Sequence, residues 1–536
     1  MGHESEGTRG DLEFGTIPGM VRAVAARYGD KKAIEDGDAA LTYAQLGEMV
    51  EAAARALMTA GIEAGDRVAI WAPNCWEWVV AALGIHAAGA VMVPVNTRYK
   101  GAEADWLLRR SGAKALFTVS GFLGHDYVRM LRAAGGEAGP AVGLIVVLRG
   151  EVPSDCNGWS SFLGWSLETS AGSQAERAAA IRPDDTCDIL FTSGTTGKPK
   201  GAVATHAQNL RAFRDWADVV GLESRDRYLV VAPFFHSFGY KAGFLAALMC
   251  GATVLPQATF DVASVLERIA PDRVSMLPGP PALYQTLLGR PDLRDYDLST
   301  LRLAVTGAAV IPVQLIRRMR DELGFETVIT GYGLTESTGI VTMCRHDDDP
   351  ETIARTSGRA IPGVEVRVVG PDGEALPPET PGEVWVRGYN VTAGYFEDPG
   401  ATAEAITPEG WLKTGDVGVL DERGYIRITD RIKDMFIVGG FNAYPAEIED
   451  TLLTHPEIVH AAVVGAPDER LGEVGVAFVV LKAGAMLTEE ILIAWSRERM
   501  ANFKVPRRVL MEAELPRNAT GKVQKFVLRE RLKAGA

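Results

Sequence analysis

The sequence predicts an α/β protein that passes, towards its C-terminus, into a smaller α+β part. Three observations predict it. Helical and strand periodicities alternate along most of the chain, as they do where helices are layered on a largely parallel sheet. From Pro362 the texture changes to short strands separated by turns, "VEVRVVGPDGEAL", "GEVWVRG" and "GYIRITDR". A length of 536 residues exceeds what one hydrophobic core accommodates, so at least two domains are expected.

Taken in order, "LTYAQLGEMVEAAARALMTAG" (41–61) has an amphipathic helical pattern closed by glycine, and "RVAIWAP" follows as a short strand. The run 78–95 approaches the length of a membrane span, but it holds His86, two glycines and Pro94. It reads as a buried helix running into the strand "VMVPV". Glycine, serine and alanine are dense over 133–180 around one strand, "GLIVVL", and this region reads as loops and a connection. "DILF" (188–191) is a strand. The alternation resumes with the strand-like "LVVAPFFH", the helical "KAGFLAALMCG", the strand "ATVLPQ", "RVSMLPGPPALYQTLL" and "LRLAVTGAAVIP". A helix starts at "YPAEIEDTLL", where Pro445 suits a first turn and Glu447, Glu449 and Asp450 suit its dipole. "VHAAVVGAP", "GVAFVVL" and "RVLMEAEL" are strands of a small terminal unit, with helices "TEEILIAWSRERM" and "KFVLRERL". The boundary falls between Thr429 and Asp434, dividing the chain into 1–430 and 431–536.

Hydrophobic residues make up 47% and charged residues 23%, ordinary for a soluble globular protein. The 55 basic and 69 acidic residues give a net charge of −14, which argues against nucleic acid as the main partner. Five scattered cysteines with no C-x-x-C read as a reducing compartment without disulfides or zinc. The N-terminus lacks a hydrophobic signal core, so a cytoplasmic location is expected.

"TSGTTGKPKG" (192–201) places four hydroxyls, three glycines and two lysines directly behind the strand "DILF". Glycine lets backbone N–H groups approach a phosphate chain, and the hydroxyls and lysines add donors and charge. The spacing is not that of a Walker A loop, because the fifth position after Gly194 is Pro199.

Six stretches in order, "TSGTTGKPKG", "PFFHSFG" (233–239), "GYGLTE" (331–336), "WLKTGD" (411–416), "DRIKDMFIVGGFNAYPAEIE" (430–449) and "PRNATGK" (516–522), resemble the motifs of the adenylate-forming superfamily. That superfamily includes acyl-CoA synthetases, luciferases and peptide-synthetase adenylation domains. With "LTYAQL" and "GDRVAI", the resemblance covers nearly the whole chain. It implies a large N-terminal domain of layered α/β subdomains and a small mobile C-terminal lid. It also implies a two-step reaction: a carboxylate attacks the α-phosphate of ATP to give an acyl-adenylate, and the thiol of coenzyme A then displaces AMP.

Carried over residue by residue, the resemblance implies that Thr192, Ser193, Gly194, Thr195, Thr196, Gly197, Lys198 and Lys200 surround the phosphates. Glu336 is the Mg²⁺ ligand position, with Thr195 beside it, and Thr335 contacts phosphate. Tyr332 and Gly333 flank adenine, as does the backbone of Gly307 and Ala308. Asp416 accepts both ribose hydroxyls, and Arg431 reaches the same sugar. Lys433 is the hinge, Gly439, Gly440 and Phe441 border the CoA channel, and Lys522 bridges carboxylate and α-phosphate oxygens during adenylation. His236 gates the acyl site and positions the carboxylate; a packed core histidine is the plainer alternative. Phe235, Phe238, Thr306, Gly331, Gly339 and Ile340 line an apolar acyl pocket. Lys241 is anomalous in that apolar run: either a surface lysine, or a pocket residue favouring a distal ketone or hydroxyl.

A narrower resemblance rests on "APNCWEWVVAALGIHAAGA", "NTRY", "PFFHSFGYKAG", "LPGPPALYQTLL" and "LRLAVTGAAVIPV". These are similar to actinobacterial ligases that activate the bicyclic indanedione-propanoate remnant of steroid rings. The chain departs from them in extra N-terminal residues and a longer "GPDGEALPPETPGE" segment. A fatty acid, or another alicyclic or aromatic acid, stays open as the substrate. A carrier-protein loader and a non-catalytic acyl or nucleotide sensor are the competing functions, and a homodimer is compatible with all of them.

Overall fold

The alanine-rich run expected to be buried is the helix Trp76–Ala87, in which every residue from Glu77 to Ala87 is buried. A helix apolar on all sides belongs inside a protein, and this one is too short to span a bilayer. No helix among the described residues is long and apolar enough to cross a membrane. The computed structural model describes residues 9–136, 141–192, 199–259, 261–307, 311–431, 434–438, 441–468, 471–500, 502–518 and 521–534.

Two sheets of mainly parallel strands supply the framework around that helix. One runs in the order Lys200–Thr205, Thr186–Thr192, Val91–Pro94, Arg67–Trp71, Ala113–Phe122, Leu144–Arg149, Asn157–Gly158. The other runs Arg227–Val230, Thr253–Pro256, Lys32–Asp36, Ala39–Thr42. Single bridges through Met276 join it to Leu303–Thr306 and Thr327–Tyr332, which are parallel to each other. The amphipathic helix Tyr43–Thr59 lies where its period places it, with Thr42 and Gln45 forming a reciprocal cap.

Past Pro362 the expected change of texture is an antiparallel sheet, Val364–Val369, Gly382–Gly388, Leu412–Leu420, Ile426–Arg431. A last sheet joins Phe441–Ala443, Phe436–Val438, Gly472–Leu481 and Ile458–Asp468, with Arg508–Met511 parallel to Gly472–Leu481. One continuous buried cluster extends from Phe14 to Ile426. Two separate clusters, centred on Phe436 and Val463 and on Phe478 and Leu528, serve the last sheet's two faces. Pro445 opens the helix Pro445–Leu453, as its fixed φ favours.

Two expectations are corrected. The stretch 133–180 is not mainly loop, since it contains the helices Trp159–Gly164 and Ala171–Ala180. The Ser170 side chain accepts from the Ser173 N–H and starts the second, and its alanines are strong helix formers. The strand read in "LVVAPFFH" stops at Val230, and His236 instead caps the short turn Ser237–Gly239.

Candidate active site

The strand Thr186–Thr192 does not feed a helix, as a Walker strand would. It pairs antiparallel with Lys200–Thr205, in a register that sets Thr192 opposite Lys200. The glycine-rich segment therefore bridges the tips of a hairpin, which accounts for the missing Walker spacing. The Thr192 hydroxyl donates to the Lys200 carbonyl at 3.3 Å and closes the hairpin's base. Ser193, Gly194, Thr195, Thr196, Gly197 and Lys198 lie outside the described residues.

Beside that base, the Lys200 ammonium stands 5.2 Å from the centre of the Tyr395 ring. The Tyr395 hydroxyl donates to Glu336 Oε1 at 2.9 Å. Burial, and then the Glu336 charge, push the Tyr395 phenol above its usual range, so it stays a proton donor. Glu336 sits in a single 3₁₀ turn, Thr335–Ser337, fixed from behind by the Thr392 N–H on its carbonyl at 2.8 Å. Thr338 ends that turn at φ +60°, a left-handed conformation uncommon for threonine, and its hydroxyl donates to the Asn390 carbonyl at 2.7 Å. The segment 389–396 thus braces the turn. Sequence reasoning missed Tyr395; the only signal was an aromatic in the glycine-containing "TAGYF".

The residues expected at the nucleoside also lie close together. Tyr332 ends the strand Thr327–Tyr332, and its hydroxyl donates to Asp416 Oδ2 at 2.6 Å. Asp416, 3% exposed, lies on Leu412–Leu420 with its backbone N–H on the Thr414 hydroxyl. The backbone of Arg431 is paired directly opposite Asp416. Gly307 follows Thr306 at the end of a neighbouring strand, and Ala308 lies outside the described residues. Gly333 is required by a close approach, since a Cβ there would fall 2.3 Å from the Gly339 carbonyl oxygen.

On the acyl side, His236 Nδ1 accepts from the Phe238 N–H at 3.2 Å, leaving Nε2 to carry the proton in the neutral ring. Burial lowers its pKa, which favours that neutral form. Phe235 and Phe238 are half-buried, while Ile340 is buried. Gly339 has φ +110°, and a Cβ there would lie 3.2 Å from both the Phe213 ring and Ser237, which are thereby its walls. A Cβ on Gly331 would lie 2.9 Å from the Thr342 carbonyl oxygen. Thr306 is 3% exposed, and its hydroxyl has no hydrogen-bond partner among the described residues.

Lys241 corrects the sequence reading. It is 1% exposed, so it is not a surface lysine. Its ammonium is 3.1 Å from Asp188 Oδ1 on the strand Thr186–Thr192, which leads into the glycine-rich segment. The surface alternative is the one overturned, and the ammonium neutralises a buried aspartate.

In the C-terminal part, Lys522 is exposed on a tight turn in which Asn518 N–H donates to the Lys522 carbonyl and Lys522 N–H to Asn518 Oδ1, each 2.8 Å. Gly521 takes φ +82° there, and its carbonyl accepts from the Arg517 guanidinium at 2.8 Å. Lys433, Gly439 and Gly440 lie outside the described residues, and Phe441 begins the strand Phe441–Ala443.

The family model for AMP-binding enzymes matches residues 21–396, and the model for their C-terminal domain matches 447–522. This chain belongs to the AMP-binding enzymes. A 3-[(3aS,4S,7aS)-7a-methyl-1,5-dioxo-octahydro-1H-inden-4-yl]propanoyl:CoA ligase of Rhodococcus jostii (strain RHA1) is 48% identical over 97% of this AMP-binding enzyme and 99% of the relative. The ligase of the same name from Mycobacterium tuberculosis (strain ATCC 25618 / H37Rv) is 49% identical over 96% and 98%. Among solved structures, ATP-bound MatB from Rhodopseudomonas palustris shares the fold with a TM-score of 0.85 and 30% identity, over 97% of this chain and 99% of that one.

Proposed function

We propose that this AMP-binding enzyme is an AMP-forming acyl-CoA ligase whose acid is a ketone-bearing alicyclic propanoate of the kind left by steroid-ring breakdown. The observation that carries the reaction class is the convergence of two charged sets. Tyr332 and Asp416 offer a buried carboxylate to a sugar, while Lys200, Tyr395 and Glu336 cluster at the base of the phosphate hairpin. The acid's carboxylate oxygen forms a bond to the α-phosphorus of ATP as the bond to pyrophosphate breaks. The thiolate of CoA then bonds to the acyl carbon, and AMP leaves with the electron pair. No general base is needed in the first step, because a carboxylate is already ionised at neutral pH.

The residues present fit a magnesium ion. No cluster of three metal-ligating side chains exists among the described residues, and Glu336 is a single carboxylate beside the phosphate hairpin. One carboxylate plus substrate phosphates is the set Mg²⁺ takes, and when bound it neutralises charge on the phosphate oxygens. Tyr395 holds Glu336 for that role. Tyr395→Phe is expected to lower kcat/KM for ATP about tenfold, the worth of one hydrogen bond to a charged group, and to raise the Mg²⁺ concentration giving half-maximal pyrophosphate release. An unchanged Mg²⁺ titration would remove Tyr395 from the site.

The acid is inferred from the two ligases similar at 48% and 49% identity. The Thr306 hydroxyl, without a hydrogen-bond partner among the described residues, supports a substrate that carries an oxygen acceptor in its body rather than a plain alkyl tail. We place the division between the catalytic domains at 430/431, and the enzyme in a reducing cytoplasm, where its five cysteines remain free.

The test is pyrophosphate release with ATP, Mg²⁺ and CoA over the bicyclic indanedione-propanoate, octanoate, palmitate, benzoate and cyclohexanecarboxylate. A preference of at least about 10²-fold in kcat/KM for the bicyclic acid is expected, because a site built around a polar substrate group discriminates strongly. Preference for octanoate or palmitate would make it a fatty-acid ligase. Pyrophosphate release without CoA-dependent AMP release would point to a carrier-protein loader, and no turnover of any acid to a sensor.

A further inference from the structure

The segment after His236 winds into a π-helical turn, Tyr240–Leu245, of the wide kind that is frequent at functional sites. Its first two side chains point into the protein rather than out of it. Tyr240 is 0% exposed, and its hydroxyl lies 3.0 Å from His86 Nε2. Lys241 faces Asp188, itself 0% exposed, with Nζ 3.1 Å from Oδ1. The second oxygen, Oδ2, accepts from Asn209 Nδ2 at 2.6 Å and from the Cys187 thiol at 3.4 Å.

Lys241 is the cation of this cluster. His86 and His206, whose rings meet edge to face at 5.6 Å, are both driven towards the neutral form by burial, His206 to about 4. Burial likewise pushes the Cys187 thiol and the Tyr240 phenol up, so neither is ionised near neutrality. Among the described residues the other groups named around the pair are uncharged: Asn209 and His206 from the helix His206–Val220, His86 from Trp76–Ala87, Cys187 adjacent to Asp188, and Tyr240 from the π turn, with the exposed Asp185 acting on His206 from outside. Among the described residues, Asp188 and Lys241 compensate each other within this buried cluster.

The pair joins two pieces of the site that are far apart in sequence. Asp188 belongs to the strand whose last residue, Thr192, begins the phosphate loop. Lys241 is the second residue of the turn that follows His236, Ser237 and Phe238, and the Tyr240 N–H donates to the His236 carbonyl at 3.0 Å. The ion pair therefore ties the strand Thr186–Thr192 directly to the turn that follows His236. We propose that Lys241 and Asp188 are positioning residues for adenylation, a buried ion pair that holds the His236 segment in register with the phosphate-loop strand. The proposal rests on the adenylation reading above, and its test separates the two.

The test compares Lys241→Met, Asp188→Asn and the double variant Asp188→Asn/Lys241→Met by pyrophosphate release against pH, with melting temperature against pH alongside. In Lys241→Met the aspartate loses its cation in a dry, neutral setting, so its proton is held to higher pH than in an ordinary carboxyl. The folded state then binds a proton that the unfolded state has released. Stability and kcat are therefore expected to fall as pH rises from about 4 through the raised pKa. In Asp188→Asn the stranded ammonium favours its neutral form, and kcat and stability rise with pH. The double variant is neutral; it is expected to keep the wild-type pH profile with kcat about tenfold lower and KM for ATP within about twofold, because the tether is gone but nothing is left charged.

A double variant with wild-type kcat would overturn the proposal, and it decides the matter alone if either single variant fails to fold. Single variants whose melting temperatures acquire opposite pH slopes while kcat stays at the wild-type value would also overturn it, reducing the pair to a structural feature. If the wild type releases no pyrophosphate with any acid, the adenylation reading fails and the positioning role falls with it. The opposite melting slopes would then still report the ion pair itself.

Discussion

Lys522→Ala is expected to lower acid-dependent pyrophosphate release on the order of 10³-fold, while thioester formation from a ready-made acyl-adenylate changes less than about threefold; a single aimed donor at developing charge is commonly worth 10²- to 10³-fold, and here it also offsets repulsion between two anions. Unit charges of like sign 4 Å apart repel by about 4 kcal/mol at an effective dielectric near 20. The turn holding Lys522 is built to present a side chain outward. Asn518 closes it through two backbone-linked hydrogen bonds, Gly521 supplies the left-handed residue, and Arg517 clamps its carbonyl. The second half-reaction has no phosphate to approach, so the ammonium has nothing to stabilise there. Equal loss in both half-reactions would mean that the substitution damages the small domain rather than one step. Undiminished pyrophosphate release would remove Lys522 from the chemistry.

Asp416→Ala is expected to raise KM for ATP about 10²-fold or more. Hydrogen bonds to a charged acceptor contribute about 1.5–3 kcal/mol each, and two sugar hydroxyls would be lost together. The same change removes the acceptor of the 2.6 Å bond from the Tyr332 hydroxyl. Tyr332→Phe removes that bond but keeps the carboxylate, and should raise KM for ATP by less than about tenfold. The comparison is made by initial rates over ATP concentration at saturating acid. A nucleotide lacking the ribose hydroxyls should bind wild type and Asp416→Ala alike; if it discriminates between them, the carboxylate does not serve the sugar.

Much of this was legible in the sequence, because local rules and tertiary context agree. The helix Tyr43–Thr59 announces itself by period and cap, and the buried helix Trp76–Ala87 by composition and length. The pairing of Tyr332 with Asp416 joins two residues that the resemblance assigned to one nucleoside. What was not legible depends on partners distant in the chain. An apolar run containing one lysine looks the same whether that lysine meets water or Asp188, and only the folded arrangement makes the choice. Tyr395 lacks a spacing signal because it lies 59 positions along the chain from Glu336. The helix Ala171–Ala180 was lost in a stretch whose small residues serve loops and helices equally.

The register that sets Asp416 opposite Arg431 has a consequence for how such a gene can be edited. Both residues lie on one hairpin, whose exposed turn at 421–424 is closed by Asp421 accepting from the Arg423 and Tyr425 N–H groups. Extra length at that turn loops out into solvent and leaves the ladder below it untouched. One residue inserted between Tyr425 and Arg431 shifts the partner strand by one, turning its alternate faces over and moving Arg431 out of its place opposite Asp416, the carboxylate we propose holds the sugar. A reporter or affinity tag can therefore be spliced into the turn, whereas the same few codons placed a handful of residues downstream would sever the nucleotide site from the domain that follows it.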